Sequence, residues 1–286
     1  MSPSIRCFVA LLVAATVASG GDRPETVEEF MTVGGPTRVI AHRGFSSRAP
    51  ENTRAAVARS IEVGADMVEV DVTMTADGRV ICLHDETLDR TTDGRGPATS
   101  RTLDEIRRLD AGSWFSPEFA GEPVPTLDEV LDLVDGRALL NIEIKPEAVP
   151  HGAVNAVAEL VRRRDLVDRV VVSSFAPEAL RRMKIVDPDI VTVSLFNADL
   201  HKGRDPLEII QEVGSRGLNL ARHEVTAEII ERCHRHGFPV GVYTVNRKQG
   251  MRRVMRLKAD AVFTDHPDRL IEVQRSEARR TADEAR

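Results

Sequence analysis

Short β-branched segments alternate with helical patterns along the chain from residue 36 onward. Between these segments apolar residues recur about every 3.6 positions, as in Val154, Val157 and Val161. Eight strands joined by crossover helices predict an α/β fold, a (β/α)8 TIM barrel, and a doubly wound open sheet is the alternative. The predicted strands span residues 38–42, 67–72, 138–145, 169–175, 190–196, 217–222, 239–245 and 261–265.

One connection is much longer than a crossover helix requires. About sixty-five residues separate the second predicted strand from the third. They begin with a hairpin pattern that turns at Asp77 and Gly78. Because the loops that follow barrel strands carry function, we place a small insertion, residues 73–123, at the mouth of the barrel.

Acidic residues alternate with valines in the second strand. If helices cover the outside of a parallel barrel, the valines face those helices, and Glu69 and Asp71 share the opposite face, the lumen. The third strand repeats the pattern, with isoleucines on one face and Glu143 and Lys145 on the other. Three carboxylates are therefore predicted to converge near the barrel mouth.

Buried carboxylates without partners are costly to desolvate. A divalent cation that prefers oxygen ligands would compensate them, so Ca²⁺ or Mg²⁺ is expected. The alternative is an internal network of ion pairs in which Arg43 and Lys145 neutralise the three acids. The spacing of the residues is compatible with both.

Two histidines occur at related positions. His42 ends the first strand, and His84 ends the hairpin in the insertion. A single histidine at a strand end is more often structural than catalytic. Two of them beside an acidic cluster, with Arg43 and Lys145, indicate acid–base chemistry near neutral pH.

The composition narrows the classes of protein. The chain has 286 residues, 42% of them hydrophobic, and a formal net charge of −6. A negative balance argues against a nucleic-acid-binding protein. We assign residues 36–276 to the barrel and residues 277–286 to a charged tail. The sequence carries no indication of oligomeric state.

The first twenty residues differ from the rest. Residues 1–20 contain one early arginine, a short apolar run and small residues at the end, a pattern typical of a secretory signal peptide. The run is too short to span a bilayer, so no transmembrane span is expected. We therefore expect export, to the periplasm or outside the cell, and the alternative is a cytoplasmic protein with an apolar leader.

An ordered set of motifs spans residues 38 to 267. The motifs are HRG, PENT, HDETLDRTTDGRG, LDAGSWF, PTLDEVL, NIEIK, TVN and FTDHP. Each motif is weakly diagnostic alone, but together they resemble the glycerophosphodiester phosphodiesterase family. The resemblance implies a TIM barrel that hydrolyses deacylated phospholipids, small glycerophosphodiesters, to glycerol 3-phosphate and an alcohol.

The resemblance also implies roles for individual residues. It implies that His42 and His84 are the catalytic pair. The implied metal ligands are Glu69, Asp71 and Glu143. The implied phosphate contacts are Arg43 and Lys145, and the supporting residues are Glu51 and Asn52. Trp114 is expected in the wall of the substrate cleft, and Tyr243, where the family commonly has tryptophan, is expected to influence the preference for the alcohol.

Three other functions compete with this interpretation. A phosphodiesterase of the sphingomyelinase or phospholipase D type shares the acid and histidine pattern but acts on intact lipids. A zinc amidohydrolase barrel is disfavoured, because no His-x-His pair ends a strand. A non-catalytic phosphate-binding barrel is disfavoured by the presence of His42, His84 and all three acids.

Overall fold

The eight predicted strands close on one another as a parallel barrel. The computed structural model describes residues 23–284, so the predicted leader at residues 1–20 lies outside the described residues. The strands are β1 Arg38–Ala41, β2 Met67–Met74, β3 Val80–Cys82, β4 Leu139–Ile144, β5 Val170–Ser174, β6 Val191–Phe196, β7 Leu218–Ala221, β8 Val240–Tyr243 and β9 Ala261–Thr264. All of them except β3 form the ring, which β1 closes by pairing with both β2 and β9. This confirms the predicted (β/α)8 barrel.

Helices connect the parallel strands and cover the ring. The helices are α1 Val27–Phe30, α2 Arg54–Val63, α3 Leu103–Ile106, α4 Leu127–Val134, α5 Ala153–Arg163, α6 Pro177–Val186, α7 Ala198–His201, α8 Pro206–Val213, α9 Ala227–Arg235, α10 Lys248–Arg256 and α11 Pro267–Glu284. Helix α4 begins with a capping box, in which Thr126 and Glu129 each bond the other's backbone N–H. The charged C-terminal segment is helical as far as Glu284. None of the helices between residues 23 and 284 has the length and apolar character needed to cross a bilayer.

The alternation in β2 orients its side chains as the sequence predicts. Val68, Val70 and Val72 are fully buried in the core between the ring and its helices. At the opposite end from the barrel mouth, Phe30 and Met31 of the α1 segment pack against residues that begin the strands. Since the valines of β2 face the helices, Glu69 and Asp71 of the same strand share the inner face of the barrel.

The insertion begins as an antiparallel hairpin. Strand β3 pairs with the end of β2, with Val72 opposite Cys82, and this pairing extends β2 two residues beyond its predicted end. The insertion has a small core built from Ile81, Leu83, Leu88, Ala98, Ile106 and Ala111, to which Val124, the residue directly after the insertion, is added. Burial of each large side chain in such a core contributes about 1.5–3 kcal/mol. Ion pairs from Arg107 to Glu129 (2.7 Å) and from Arg59 to Glu118 (2.8 Å) attach the insertion to α4 and α2.

Candidate active site

Three carboxylates meet at the mouth of the barrel, as the strand pattern predicts. Glu69 and Asp71 come from β2 and Glu143 from β4, and the register places Asp71 directly beside Glu143. One oxygen of each carboxylate lies within 4.8 Å of the others. Oxygen atoms bound to one Ca²⁺ or Mg²⁺ at 2.0–2.6 Å lie no more than about 5 Å apart. The cluster therefore has the dimensions and the donor chemistry of a site for a hard divalent cation.

Two cations lie against the three acids. Lys145 Nζ is 2.8 Å from Glu143 Oε1 and 3.5 Å from Asp71 Oδ1. Arg43 Nε is 3.3 Å from Asp71 Oδ2. Asn52 donates to Asp71 Oδ2 over 2.9 Å and accepts from the Asp71 N–H over 3.0 Å. Part of the predicted ion-pair network is thus present, and it centres on Asp71.

Within residues 23–284, only one of the two carboxylate oxygens of Glu69 has a hydrogen-bond partner. Its Oε2 accepts from the Arg43 N–H over 2.7 Å, but its Oε1 is buried without a hydrogen-bond partner among the described residues. Burial and the neighbouring carboxylates raise the pKa of Glu69 well above its usual value. Burial also acts to raise the pKa of Asp71, but Lys145 and Arg43 outweigh it and lower that pKa. Two cations do not compensate three acids, and the unpartnered oxygen of Glu69 fits a metal ligand.

The turn after β1 positions Arg43. Gly44 follows with φ +78°, and a Cβ at this position would lie 2.7 Å from the Cβ of Ala56 in α2. Only glycine combines this backbone conformation with so close a contact. Arg43 itself has φ +55°. The turn directs the Arg43 N–H to Glu69 and its side chain to Asp71.

His42 is held by an aspartate that follows β9. Its Nδ1 is 2.7 Å from Asp265 Oδ1, and Ser46 and Asn246 also donate to Asp265, over 3.2 and 2.5 Å. Burial opposes ionisation of Asp265, but His42, together with the hydrogen bonds from Asn246 and Ser46, lowers the pKa of that carboxyl to about 2. An ionised carboxylate only accepts, so Nδ1 of His42 carries the proton. Its Nε2 is then available to a bound molecule.

His84 has a matching arrangement in the insertion. Its Nδ1 is 2.7 Å from Asp85 Oδ1, which again leaves Nε2 available. Burial lowers the pKa of His84, and the nearby Arg43 and Lys145 add to this effect while Asp71 opposes it. The two imidazoles are therefore presented in the same way, each oriented by one aspartate.

A cleft of about 430 Å³ opens beside His42 and Arg43. His84 lines a separate, smaller pocket together with Glu51 and Asn52. The residues that line the cleft are His42, Arg43, Ser46, Ser47, Glu51, Trp114, Phe115, Thr244, Asp265 and His266. Trp114 is 41% exposed and lines this cleft, and its contact with a substrate stays a prediction. Tyr243 donates its hydroxyl to the Phe196 backbone oxygen over 2.6 Å, and its ring packs edge-on against Phe175 and Phe263. Its influence on the alcohol stays a prediction.

The sequence reasoning assigned no role to the partners of the histidines. Asp265 lies in the FTDHP motif, and Asp85 lies in the HDETLDRTTDGRG motif. Asp265 comes immediately after the end of β9, and Asp85 is adjacent to His84. A rule that examines every acid at the carboxyl end of a barrel strand would have found Asp265.

Comparison with known proteins identifies clear relatives. The family model described as the Glycerophosphoryl diester phosphodiesterase family matches residues 42–269. A glycerophosphodiester phosphodiesterase from Caldanaerobacter subterraneus subsp. tengcongensis is 39% identical over 241 residues, which are 84% of this chain and 98% of the relative. A Bacillus altitudinis protein of the same name is 34% identical over 241 residues, 83% of this chain and 98% of its own.

Solved structures give the same result. A phosphodiesterase from Oleispira antarctica, solved in complex with the product sn-glycerol-3-phosphate, has a TM-score of 0.78 and 31% identity. The similarity covers 83% of this chain and 96% of that one. A glycerophosphodiester phosphodiesterase from Agrobacterium tumefaciens has a TM-score of 0.73 and 33% identity, over 82% of this chain and 98% of its own.

Proposed function

This chain belongs to the glycerophosphoryl diester phosphodiesterase family, and we propose that it hydrolyses glycerophosphodiesters to glycerol 3-phosphate and an alcohol, using one Ca²⁺ or Mg²⁺ ion. The observation that carries the proposal is the arrangement at the barrel mouth. Three carboxylates form one cluster, and His42 interacts electrostatically with Glu143 and His84 with Asp71 of that cluster. Each histidine also places its Nδ1 on a further aspartate. This set of groups serves phosphodiester hydrolysis better than it serves simple phosphate binding.

Glu69, Asp71 and Glu143 would hold the ion. Their oxygen donors suit a hard cation, and the unpartnered Oε1 of Glu69 supports a ligand role. When bound, the ion would supply Lewis-acid stabilisation of the charge that develops on the nonbridging phosphate oxygens.

Arg43 and Lys145 add positive charge from the protein. Both already contact Asp71, so they are fixed before a substrate arrives. Their charge favours a phosphodiester anion and would stabilise its transition state, because fixed donors need no reorganisation during the reaction. Glu51 keeps Arg43 in place by bonding its guanidinium. Asn52 keeps in place Asp71, the carboxylate that both cations contact.

The two histidines would move the protons. The Nε2 of one neutral imidazole takes a proton from the nucleophile, and the other imidazole, which starts with both nitrogens protonated, gives its Nε2 proton to the leaving alkoxide. The nucleophile is either water or the 2-hydroxyl of the glycerol, which would yield a cyclic phosphate first. Phosphorus NMR of the reaction mixture distinguishes the two routes, since only the second produces a cyclic intermediate.

A substrate panel tests the proposal and its main rival. In one assay the purified protein is given the glycerophosphodiesters of choline, ethanolamine and glycerol. In a parallel assay it is given intact sphingomyelin and lysophosphatidylcholine in vesicles. We expect glycerol 3-phosphate from the first group and no turnover of the second. Turnover of the intact lipids alone would indicate an enzyme of the sphingomyelinase or phospholipase D type. Turnover of neither group would contradict the proposal.

We also propose that the protein is exported. The support is the composition of residues 1–20, which is that of a signal peptide. An exported enzyme of this kind would act on glycerophosphodiesters outside the cytoplasm.

A further inference from the structure

Arg90, in the insertion, contacts two carboxylates at once. Its Nε and Nη2 donate to Asp85 over 2.6 and 3.0 Å. Its Nη1 and Nη2 donate to Glu51 over 2.9 and 2.8 Å. Both contacts are bidentate, the geometry in which a guanidinium fixes direction as well as distance. Asp85 belongs to the insertion, and Glu51 belongs to the loop between β1 and α2.

Each of these carboxylates also bonds a residue of the proposed active site. Asp85 Oδ1 accepts from His84 Nδ1 over 2.7 Å. Glu51 Oε1 accepts from Arg43 Nη1 over 2.8 Å. A continuous series of bonds, the Arg90 network, thus runs through His84, Asp85, Arg90, Glu51 and Arg43.

From this geometry we propose that Arg90 is a positioning residue, which fixes His84 of the insertion relative to Arg43 of the barrel. The inference rests on the proposed function, because it concerns the proton-transfer imidazole and the phosphate-binding guanidinium of that reaction. Two other ion pairs, at Arg59 and Arg107, also attach the insertion, but they bond Glu118 and Glu129, which lie outside the Arg90 network.

Loss of the guanidinium would affect both ends of the network. Asp85 and Glu51 would become two like charges without the cation between them. Arg90 is the largest influence that lowers the pKa of Asp85, and it also lowers that of Glu51 against the effect of burial. Lysine would keep the charge but not the arrangement, because an ammonium cannot bond two carboxylates in bidentate geometry.

The kinetic test compares Arg90→Met with the matched control Arg107→Met, using glycerophosphocholine as substrate. Both changes remove an arginine that attaches the insertion, but only the first removes it from the network. Misplacement of a catalytic group by about 1 Å costs on the order of 10²-fold, so we expect kcat to fall about 10–100-fold in Arg90→Met. Arg107→Met should stay within about twofold of wild type, and Arg90→Lys should recover part of the loss. Equal losses in the two methionine variants would overturn the proposal.

A second comparison separates positioning from general stability. Arg90→Met is introduced into a His84→Ala background. If Arg90 acts largely through His84, its effect on kcat should shrink to a few-fold there, because groups that act as a unit are not additive. A loss of the same size in both backgrounds would assign Arg90 a merely structural role.

The third measurement needs no turnover. In protein labelled with ¹⁵N-histidine, the Nδ1–H of His84 should give a hydrogen-bonded proton signal that Arg90→Met broadens or removes. The equivalent signal of His42, which bonds Asp265, is the internal reference, and Arg107→Met should keep both signals. If the wild type does not hydrolyse glycerophosphodiesters but this pattern holds, the proposed function fails and the positioning stands. An unchanged His84 signal in Arg90→Met would refute the positioning.

Discussion

Glu69→Gln separates a metal site from a closed ion-pair network. In the protein without metal, Glu69 is a buried carboxylate with one unpartnered oxygen beside Asp71 and Glu143. Glutamine has nearly the same shape. Its carbonyl oxygen can accept from the Arg43 N–H, and its amide group can donate toward the neighbouring carboxylates. The substitution therefore removes a carboxyl group whose ionised form is uncompensated, and it keeps the existing hydrogen bond.

The size of the effect follows from this change. Relief of one unsatisfied buried polar group is worth about 1–3 kcal/mol. For a domain of this size, each kcal/mol corresponds to roughly 2–4 °C in Tm. In chelator the variant should therefore unfold at a higher temperature than wild type. With Ca²⁺ or Mg²⁺ at 100 times its Kd, the wild type should gain about 2.7 kcal/mol, while the variant should gain much less. The difference in Tm between the variant and the wild type should then become smaller or change sign.

The pH dependence gives an additional check in chelator. Because burial and the neighbouring acids raise the pKa of Glu69 in the folded state, the folded wild type binds the extra proton. Its stability from this group is complete below the unfolded pKa of about 4.3 and is lost as the pH rises through the raised folded pKa. Glutamine does not titrate, so the advantage of the variant should grow with pH. Thermal unfolding followed by circular dichroism at pH 4.5 and pH 8 measures it. A variant less stable than wild type in chelator at pH 8 would refute the reasoning and favour the closed ion-pair network.

Three further predictions concern the histidines, their support and the leader. His42→Ala and His84→Ala should each slow turnover about 10²–10⁴-fold, and an aryl phosphodiester should rescue only the variant that lacks the acid. Equal responses to that substrate would reject the division of roles. Asp265→Asn should flatten the fall in Tm below pH 4, because His42, Asn246 and Ser46 together outweigh burial and lower the Asp265 pKa to about 2. Stability from Asp265 is thus present above its unfolded pKa of about 3.9 and lost as the pH falls through about 2; an unchanged acid profile would contradict this. N-terminal sequencing of protein from its native host should give a mature start near residue 21 or 22, and an intact Met1 in a cytoplasmic fraction would exclude export.

The pattern of the strands was sufficient to predict the barrel and the acidic cluster. Alternation has a period of two, so a parallel sheet covered by helices leaves only one face for Glu69 and Asp71. The neighbouring strand then brings in Glu143, which lies beside Asp71 in the register. These conclusions need only local periodicity and the short connections of an α/β fold.

Contacts between distant segments were not predictable in the same way. Asp265 bonds His42 across 223 residues, and Arg90 bonds Glu51 across 39. Such contacts depend on how loops lie over the barrel mouth, which hydrophobic periodicity does not encode. The choice between metal and ion pairs was open for a related reason. It depends on whether a single oxygen of Glu69 has a partner, and that is a property of positions in space.

The most direct test of the account is the metal dependence of glycerol 3-phosphate release. Wild-type protein is stripped with chelator, dialysed and assayed on glycerophosphocholine before and after addition of Ca²⁺ or Mg²⁺. We expect the stripped protein to be inactive and one of the two ions to restore turnover, with Glu69→Gln responding weakly at the same ion concentration. Full turnover by the stripped wild type would contradict the account.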